Sequence, residues 1–375
     1  MEDRYKACLI LHALGDTIGY KNSEWEFLQT SNLESKIKEK IFGFIEIGGV
    51  NYVPEKGWRV SDDTIIHNMV AKSLLYDFKT LDGFMNILKK NFIKAFDQFL
   101  KEGEEVRYPG ITLLESINKL KSGLKWNELP YNYWSGGSGA SMRNCCIGLA
   151  YYGKEYRKLL LTFSLEASRL THNSAVGYLG GMVSALFTAF AIEGININKW
   201  GLILKDMFDK GVIDSVIKES GREYNKYEKD KHQFIEKWYK YLEDKFDDKG
   251  NIIQRRVSKN MFWRSKYYLD NFSHLDKRGN ISNFIGSSGD DSVIIAYDSL
   301  VDAGKSWEKL VFYSMLHIGD TDTTGCIAAG WYGAFYGFGD VPIKILENLE
   351  MKDKISRHGL LLFKKYYSSE RDKDL

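Results

Sequence analysis

Two adjacent carboxylates stand before a helix-patterned run in the segment Gly57-Trp58-Arg59-Val60-Ser61-Asp62-Asp63-Thr64. The run that follows, Ile65 to Leu75, repeats its apolar residues with helical spacing, which predicts a helix that begins at this segment. Capping the free N–H groups of that helix uses only one of the two carboxylates. The other is driven towards an apolar interior, where an unpaired negative charge costs several kcal/mol. A bound cation would remove that cost.

A second acidic motif, Gly319-Asp320-Thr321-Asp322-Thr323-Thr324, has the same character. It precedes a nearly uncharged helical run, Cys326 to Phe335. Mg²⁺, Mn²⁺ and Ca²⁺ prefer carboxylate and hydroxyl oxygens, so the two motifs together predict a dinuclear metal site. The proposed ligands are Ser61, Asp62, Asp63, Asp320, Asp322 and Thr323.

Single polar residues nearby have simpler explanations. The motif Gly15-Asp16-Thr17 also matches a helix start, and Asp291 follows a glycine loop. Aspartate is among the commonest residues at a helix N-cap, so we interpret Asp16 and Asp291 as caps. His67 follows Asp63 by one helical turn, and we interpret it as a core histidine.

Helical periodicity also dominates the rest of the chain, for example between Tyr5 and Ala13, whereas strand-like alternation is nearly absent. We therefore predict an all-α, compact single domain over residues 1–375, with an exposed insertion around the charged segment 244–260. Further helices are predicted over 84–102, 155–170, 174–193, 230–247, 289–303, 306–317, 323–338 and 354–368. Loops are predicted at the glycine clusters, namely Gly136-Gly137-Ser138-Gly139, Gly180-Gly181, Gly286-Ser287-Ser288-Gly289 and Gly319.

Composition narrows the classes of function. The 52 basic and 50 acidic residues among 375 nearly balance, so neither a nucleic acid nor a membrane surface is indicated as a partner. The first residues lack a signal-peptide pattern, and the most apolar window, Val176 to Ile192, is shorter than the ~20 residues of a membrane span. Four cysteines without paired spacing argue against a zinc site and a disulfide framework. We expect a cytoplasmic monomer.

Two glycine-rich loops have the composition of anion-binding sites. The first, Gly136-Gly137-Ser138-Gly139, is expected to open a helix that contains Met142, Arg143 and Gly148, where free N–H groups and the helix dipole bind a phosphate. The second, Gly286-Ser287-Ser288-Gly289, offers the same groups. The usual nucleotide-binding fingerprints GxGxxG and GxxxxGK[ST] are absent. Two such loops suit a pyrophosphate ligand.

The order of these motifs resembles the ADP-ribosylglycohydrolase family. The run 57–64, with Gly15-Asp16 and Gly19-Tyr20 before it, is similar to the amino-terminal signature of that family. Trp25-Glu26-Phe27-Leu28-Gln29 resembles the ADP-ribosylarginine hydrolase branch. Similar motifs continue to about residue 340, namely Met142-Arg143, Cys146-Ile147-Gly148-Leu149, Thr171-His172, Gly177-Tyr178-Leu179-Gly180, Ser184 to Ala189, Gly286-Ser287-Ser288-Gly289, Ile295-Ala296-Tyr297-Asp298 and Gly319-Asp320-x-Asp322.

The resemblance implies an all-α fold with two divalent cations, Mg²⁺ first and Mn²⁺ as the alternative, at the floor of a cleft that binds ADP-ribose. It implies the metal ligands at Ser61-Asp62-Asp63 and Asp320-x-Asp322-Thr323, and it places Glu26 on a movable segment near the scissile bond. The residues implied to bind substrate are Gly110, Gly136, Gly137, Ser138, Gly139, His172, Phe284, Gly286, Ser287 and Ser288.

The chain departs from the family pattern before and after the second glycine loop. Ile281 and Phe284 stand where arginine-specific relatives tend to have Tyr and Trp, and Asp290 replaces the usual histidine. We therefore expect the stacking of adenine to differ here.

The activity that the resemblance implies is hydrolysis of the N-glycosidic bond between ADP-ribose and an arginine side chain of a protein, which releases free ADP-ribose. Asp62, Asp63 or Glu26 would accept the proton of the attacking water. Alternatives with the same chemistry are ADP-ribosyl-serine and O-acetyl-ADP-ribose. A non-catalytic reader of ADP-ribosylated proteins is the alternative of another class, and the four aspartates of the two motifs argue against it. A phosphohydrolase is disfavoured by the ordered motifs.

Overall fold

The computed structural model describes residues 1–28, 32–51, 57–247, 249–253, 260–275, 277–279, 281–282 and 284–368. Nearly all regular structure in these residues is helical, as predicted, and the only strands among them are two short ones, β1 (His274–Leu275) and β2 (Ile281–Ser282), which pair antiparallel. The helices are α1 (Glu2–Tyr20), α2 (Leu33–Glu46), α3 (Asp62–Leu75), α4 (Leu81–Glu102), α5 (Ile111–Lys121), α6 (Cys145–Ala150), α7 (Arg157–Arg169), α8 (Ala175–Ile192), α9 (Trp200–Asp209), α10 (Val212–Glu219), α11 (Tyr224–Asp230), α12 (His232–Lys245), α13 (Met261–Phe272), α14 (Asp291–Ala303), α15 (Trp307–Met315), α16 (Thr321–Tyr336) and α17 (Lys352–Tyr366).

Helix α8 lies in the core. By length and composition it could cross a membrane, yet every one of its residues is buried against the rest of the protein, as predicted for a core helix. The prediction of a loop at Gly180-Gly181 is wrong, because both residues lie within this helix. A Cβ at Gly180 would lie 2.2 Å from Gly289 O, and one at Gly181 would lie 2.2 Å from Ser168 Oγ. Close packing, not a turn, requires glycine there.

Helices α1 and α16 pack backbone to backbone. A Cβ on Gly19 would lie 2.1 Å from Thr321 O, and one on Gly15 would lie 2.4 Å from Gly325 O. This contact places Asp16, which lies on α1 between the two glycines, beside the beginning of α16. The prediction that Asp16 stands at a helix start is wrong, because α1 continues to Tyr20.

The longer predicted helices agree with the structure to within three residues at each end. Several shorter ones were not predicted. Helix α6, which contains Gly148, was predicted only as part of a longer helix that begins at the first glycine loop. It has six residues and all of them are buried, so no alternation between an apolar and a polar face marks its ends. The helices missed from the sequence are α2, α5, α9, α10, α11 and α13.

The predicted insertion at 244–260 overlaps residues 248 and 254–259, which lie outside the described residues, so its exposure stays a prediction there. Lys245, at its beginning, is buried and ion-paired with Asp298 and Asp302 at 2.7 and 2.6 Å. The four cysteines are buried and form no disulfide bonds.

Candidate active site

The beginnings of α3 and α16 carry the two acidic motifs, as predicted. Ser61 caps α3 by accepting a hydrogen bond from the Asp63 N–H at 3.1 Å. Asp320 caps α16 by accepting one from the Thr323 N–H at 3.3 Å. The Thr323 N–H also donates to Asp322 Oδ1 at 2.8 Å. Capping leaves the carboxylates of Asp62 and Asp63 for a different task.

The two motifs meet in space. Thr323 Oγ1 of α16 donates a hydrogen bond to Asp63 Oδ2 of α3 at 3.0 Å, across a separation of 260 residues. The four aspartates are between 2 and 6% exposed. They form the floor of a cleft of about 520 Å³. This cluster, which we call the acidic floor, comprises Asp62, Asp63, Asp320 and Asp322.

Asp16 supports the acidic floor from below. Its carboxylate accepts hydrogen bonds from the Ser61 N–H at 3.0 Å and from the Thr64 N–H at 3.1 Å. Asp16 therefore caps α3, a helix that begins 46 residues later, and fixes its first turn against α1. Asp16 is a cap, but of a different helix from the one that its own sequence position indicated.

Like charges and burial act together on these carboxylates. Burial and the charge of Asp322 raise the pKa values of Asp62, Asp63 and Asp320 well above the usual range. The same two causes raise the pKa of Asp16 to about 7.

Glu26 lies above the acidic floor and extends the cluster. Burial, followed by the charges of Asp322 and Asp320, raises the pKa of Glu26 to about 12. Its Oε1 is buried without a hydrogen-bond partner. The segment that carries it is fixed by backbone bonds from Phe27 N to Gly319 O and from Leu28 N to Ile318 O, at 3.1 and 2.9 Å.

The residues of the acidic floor fit a divalent cation. Among the described residues, no lysine, arginine or histidine forms an ion pair with these carboxylates, and the orphaned oxygen of Glu26 points to a missing positive charge. Carboxylate and hydroxyl oxygens are the ligands that Mg²⁺ and Mn²⁺ prefer. Asp62, Asp63, Asp320, Asp322 and Thr323 would hold such ions.

Another group of possible ligands lies elsewhere. Within the described part of the chain, only His274, Asp290 and Asp291 bring three ligand atoms within 4.8 Å of one another. Lys237 Nζ lies 3.1 Å from Asp290 Oδ2, and His274 Nε2 lies 2.7 Å from Asp290 Oδ1. Because the lysine and the histidine already balance this charge, we assign no ion there. The carboxylates of the acidic floor are spread more widely, as the ligands of two separate ions can be.

The two glycine loops lie against each other. Ser138 N donates to Ser287 O, and Gly289 N donates to Gly136 O, both at 2.9 Å, around an antiparallel bridge between Gly137 and Ser288. The first loop forms a short 3₁₀ turn, Ser138–Ala140. The next helix, α6, begins only at Cys145, so the prediction that this loop opens a helix with Met142 and Arg143 is wrong. Among the described residues, no acceptor is bonded to the Gly137 N–H, which leaves it for a ligand.

The second loop does not form the predicted anion-binding site. Asp291 accepts hydrogen bonds from Gly286 N at 2.8 Å and from Ser288 N at 2.9 Å. Because these N–H groups are already used, they cannot also bind a phosphate. Gly286 has a φ of +85°, a conformation that favours glycine. Asp291 therefore shapes this loop. Its interpretation as a helix cap is wrong, because the cap of α14 is Asp290.

His172 lies beside the first loop, within the cleft. It is 3% exposed, and its Nδ1 is 2.7 Å from Thr171 Oγ1. A Cβ on Gly139 would lie 2.6 Å from His172 Cε1, so glycine is required for the ring to pack there. His67 is buried against His12 with ring centroids 3.8 Å apart, which fits its interpretation as a core histidine.

The cleft brings together many, though not all, of the predicted site residues. Those that line it are Glu26, Asp62, Asp63, Gly110, Gly137, Ser138, Gly139, His172, Ser287, Asp320, Asp322 and Thr323. Gly136 and Ser288 line a neighbouring cavity, together with Tyr133, Trp134 and His274. Ser61 is buried beneath the floor. Phe284 is 56% exposed, and its ring lies 5.3 Å from that of Phe27.

Several lining residues were missed by sequence reasoning. Tyr108 and Ile111 are 56 and 76% exposed at the cleft, and Tyr108 has a φ of +49°, which is strained for a tyrosine. Tyr108 lies in a loop and Ile111 is the exposed first residue of α5, and neither position carries a periodic signal, so only the fold could reveal them. The residues missed are Ser23, Phe27, Tyr108, Ile111, Thr112, Leu113 and Met142.

A known protein family matches almost the whole chain. The profile of the ADP-ribosylglycohydrolase family matches residues 1–372. The chain belongs to the ADP-ribosylglycohydrolase family. Its resemblance to that family, expected from the motif order, is confirmed.

Individual relatives cover most of the chain. ADP-ribosylhydrolase ARH1 of Dictyostelium discoideum is 33% identical over 94% of this chain and 92% of its own length. A protein of Acanthamoeba polyphaga mimivirus, named provisionally as an ADP-ribosyl glycohydrolase, is 38% identical over 88% of this chain. The match spans only 63% of that viral protein. ADP-ribosylhydrolase ARH3 of Danio rerio is 25% identical over the whole chain and 94% of its own length.

A solved structure supports the fold. A chain described as part of an ADP-ribosylglycohydrolase-related protein complex superimposes with a TM-score of 0.55 over 97% of this chain and 98% of its own. At 17% identity, this similarity confirms the helical fold of the family and nothing finer.

Proposed function

We propose that this protein hydrolyses the bond between ADP-ribose and a modified protein side chain, and that the side chain is arginine. The observation that carries the proposal is the acidic floor, whose buried carboxylates face a cleft that also contains Gly137, Gly139 and His172. Membership of the family supports an ADP-ribosyl hydrolase, and the products would be free ADP-ribose and the unmodified protein.

Two Mg²⁺ ions, or Mn²⁺ ions, are the cofactors that we propose for the acidic floor. When bound, such ions lower the pKa of a coordinated water and neutralise negative charge at the reaction centre. Asp62, Asp63, Asp320, Asp322 and Thr323 would hold them. Ser61 would act indirectly, since its hydroxyl is hydrogen-bonded to the first turn of α3.

Glu26 is the best candidate for the general base. Asp63 Oδ2 accepts hydrogen bonds from Thr323 Oγ1 and Cys326 Sγ at 3.0 and 3.4 Å, so this oxygen is held by the protein. Glu26 Oε1 has no partner among the described residues. Burial and the neighbouring carboxylates raise the pKa of Glu26, and cations held by the acidic floor would offset that negative charge, so that the ionised carboxylate could accept a proton from a water beside the scissile bond. The carboxylates around C1″ of the ribose would stabilise the positive charge that develops there.

The rest of the substrate would lie along the first glycine loop. The Gly137 N–H can donate to a pyrophosphate oxygen, and His172 lies beside it. The neighbouring cavity, which shares Gly137 with the cleft, has a volume of about 750 Å³ and exposes Tyr133 and Trp134. We propose that the adenosine portion lies there. Phe284, whose exposed ring contacts that of Phe27 at the cleft, would contact the substrate from the cleft.

Arginine is favoured as the acceptor by the segment around Glu26. Its sequence resembles the arginine-specific branch, and a carboxylate at the cleft suits a cationic guanidinium. ADP-ribosyl-serine and O-acetyl-ADP-ribose remain the alternatives with the same chemistry, since the 25% match to a protein named ARH3 also covers the whole chain.

The decisive experiment measures release of ADP-ribose from proteins modified separately on arginine and on serine. We expect release from arginine with Mg²⁺, and none with a chelator. Asp62→Ala should abolish it, whereas Asp270→Ala, at an exposed position of α13, should not. Release from serine alone would mean that the substrate is ADP-ribosyl-serine and not ADP-ribosyl-arginine. Binding of ADP-ribosylated protein without release of ADP-ribose would mean that the protein is a non-catalytic reader.

A further inference from the structure

Lys40 of α2 is a buried lysine next to the candidate active site. It is 4% exposed, and burial lowers its pKa well below the usual range, although Glu26 and Asp322 act in the opposite direction. An ammonium group has three hydrogens to donate. All of them have acceptors here, at Trp25 O, His317 O and Thr321 Oγ1, at 2.5, 2.8 and 3.2 Å.

These acceptors belong to the two segments that carry the candidate base and the second acidic motif. Trp25 immediately precedes Glu26, and Thr321 lies between Asp320 and Asp322. Thr321 Oγ1 in turn donates to Gly19 O of α1 at 2.9 Å. Lys40 therefore joins the Glu26 segment to the beginning of α16 through a single ammonium group.

The Glu26 segment, residues 25–28, needs such an attachment, because the backbone within it and just before it is strained. Positive φ angles occur at Lys21, Asn22, Ser23 and Phe27, at 40, 53, 69 and 46°. None of these residues is glycine, and such conformations persist only where surrounding contacts enforce them. Beyond Lys40, the contacts that hold residues 25–28 to the loop before α16 include the backbone bonds of Phe27 and Leu28 to that loop.

We propose that Lys40 is the positioning residue of the candidate base. Its ammonium group holds residues 25–28 against the loop 317–321, and so keeps the Glu26 carboxylate above Asp320 and Asp322. The part that concerns catalysis rests on the proposed function. The attachment of the segment by Lys40 does not depend on it.

The first test is amide hydrogen exchange at Phe27 and Leu28 in Lys40→Met, which keeps the length and apolar stem of the side chain. We expect these two amides to lose protection while those within α8 keep it. Lys38→Met is the matched control, because Lys38 lies on the same helix, is 62% exposed and pairs only with Glu34 among the described residues. Unchanged protection at residues 27 and 28 in folded Lys40→Met would overturn the proposal.

The second test measures hydrolysis. We expect Lys40→Met to lower kcat about 10- to 100-fold, the size of effect seen when a group that orients a catalytic ligand is removed, with little change in KM. Lys38→Met should leave both unchanged. If Lys40 acts through Glu26, adding Lys40→Met to Glu26→Gln should cost little beyond Glu26→Gln alone. If the double variant instead lost kcat by the product of the two single losses, Lys40 would support the fold in general and not Glu26 in particular.

Two further measures keep the outcomes distinct. Should Lys40→Met not fold, Lys40→Gln retains two of the donor hydrogens and is expected to give an intermediate loss of protection at Phe27 and Leu28. Should the wild-type protein release no ADP-ribose, the proposed function fails, while hydrogen exchange still decides whether Lys40 holds the segment.

Discussion

The carboxylates of the acidic floor and those between α12, α13 and α14 are both buried, but they differ in how their charge is balanced. Within the described part of the chain, the acidic floor has no ion-paired basic partner. In contrast, Asp298 lies 2.6 Å from Arg264 and 2.7 Å from Lys245, and both basic residues also contact Asp302. Tyr268 donates a further hydrogen bond to Asp298 at 2.6 Å.

The pKa values follow this difference. Burial by itself raises the pKa of Asp298, yet Arg264 and Lys245 outweigh it and hold the value well below the usual range. In the acidic floor, burial and neighbouring carboxylates act in the same direction and raise the pKa values. Asp302, which shares the two basic partners, has a raised pKa because of burial and the charge of Asp298.

The comparison indicates which buried charges serve stability and which serve function. A protein that pairs Asp298 so completely has the means to neutralise a buried carboxylate with its own side chains. The unpaired carboxylates of the acidic floor therefore indicate a function and not a lack of basic side chains. Groups with strongly perturbed pKa values in a cleft are typical of functional sites.

The largest effect is expected for Asp298→Asn. Removing one partner of a buried ion pair leaves the other charge uncompensated, so the free energy of unfolding should fall by about 3–5 kcal/mol. Urea unfolding measures this loss. Asp270→Asn, at an exposed ion pair on the surface of α13, serves as the control and should change little. A loss no greater than that of the control would contradict the assigned role of the pair.

Asp320→Asn should show the opposite pattern. Loss of a residue that only orients a metal ligand typically costs about 10- to 100-fold in activity. Because Asp320 is proposed as a ligand itself, we expect activity to fall by at least about 100-fold. The melting temperature of the chelator-treated protein should stay the same or rise, since an uncompensated buried charge is removed. A fall in melting temperature like that of Asp298→Asn would mean that Asp320 is structural.

Mg²⁺ should stabilise the wild-type protein. A ligand at 100 times its Kd adds about 2.7 kcal/mol to the free energy of unfolding, which a thermal shift between Mg²⁺ and chelator can detect. The shift should vanish in Asp320→Asn and persist in Asp298→Asn. An equal shift in all three proteins would place the ion outside the acidic floor.

The smallest effect concerns pH. The folded protein raises the pKa of Asp16 to about 7, from an ordinary value near 4. Its contribution to stability is therefore fully present below pH ~4 and is lost as the pH rises through about 7. The melting temperature in chelator should fall across this range, and Asp16→Asn should make that fall smaller by a few degrees without removing it, because carboxylates of the acidic floor also have raised pKa values. Asp298 has the opposite pH dependence. Because its pKa is lowered in the folded protein, its contribution to stability is present above the ordinary pKa of an aspartate and is lost as the pH falls below that value. A melting temperature that rises with pH in chelator would contradict this account.

Much of the candidate site could be predicted from the sequence because its residues stand in short local patterns. The pairs Asp62-Asp63 and Asp320-x-Asp322 are adjacent to capping positions and apolar helices, and both lie at the floor of the cleft. Glu26, Gly139 and His172 followed from the resemblance to the family, and they line the same cleft. Their roles in binding and catalysis stay predictions.

The positions that were predicted wrongly depend on contacts between distant segments. Gly180 and Gly181 look like a turn in sequence but serve close packing inside α8. The second glycine loop looks like an anion-binding site until Asp291 is seen to occupy two of its N–H groups. The composition of a loop does not show which acceptor its backbone N–H groups will bond to in the folded protein.

The sequence by itself determined where the main helices lie and which residues carry the acidic motifs, because periodicity and capping act within a few residues of the chain. Only the tertiary structure decided that Asp16 caps α3, that the two glycine loops pair with each other, and that Lys40 holds the Glu26 segment. The physical reason is that these contacts join residues that are far apart in the sequence. The bond between Lys40 and Thr321 spans 281 residues, so no local pattern of the sequence could indicate it.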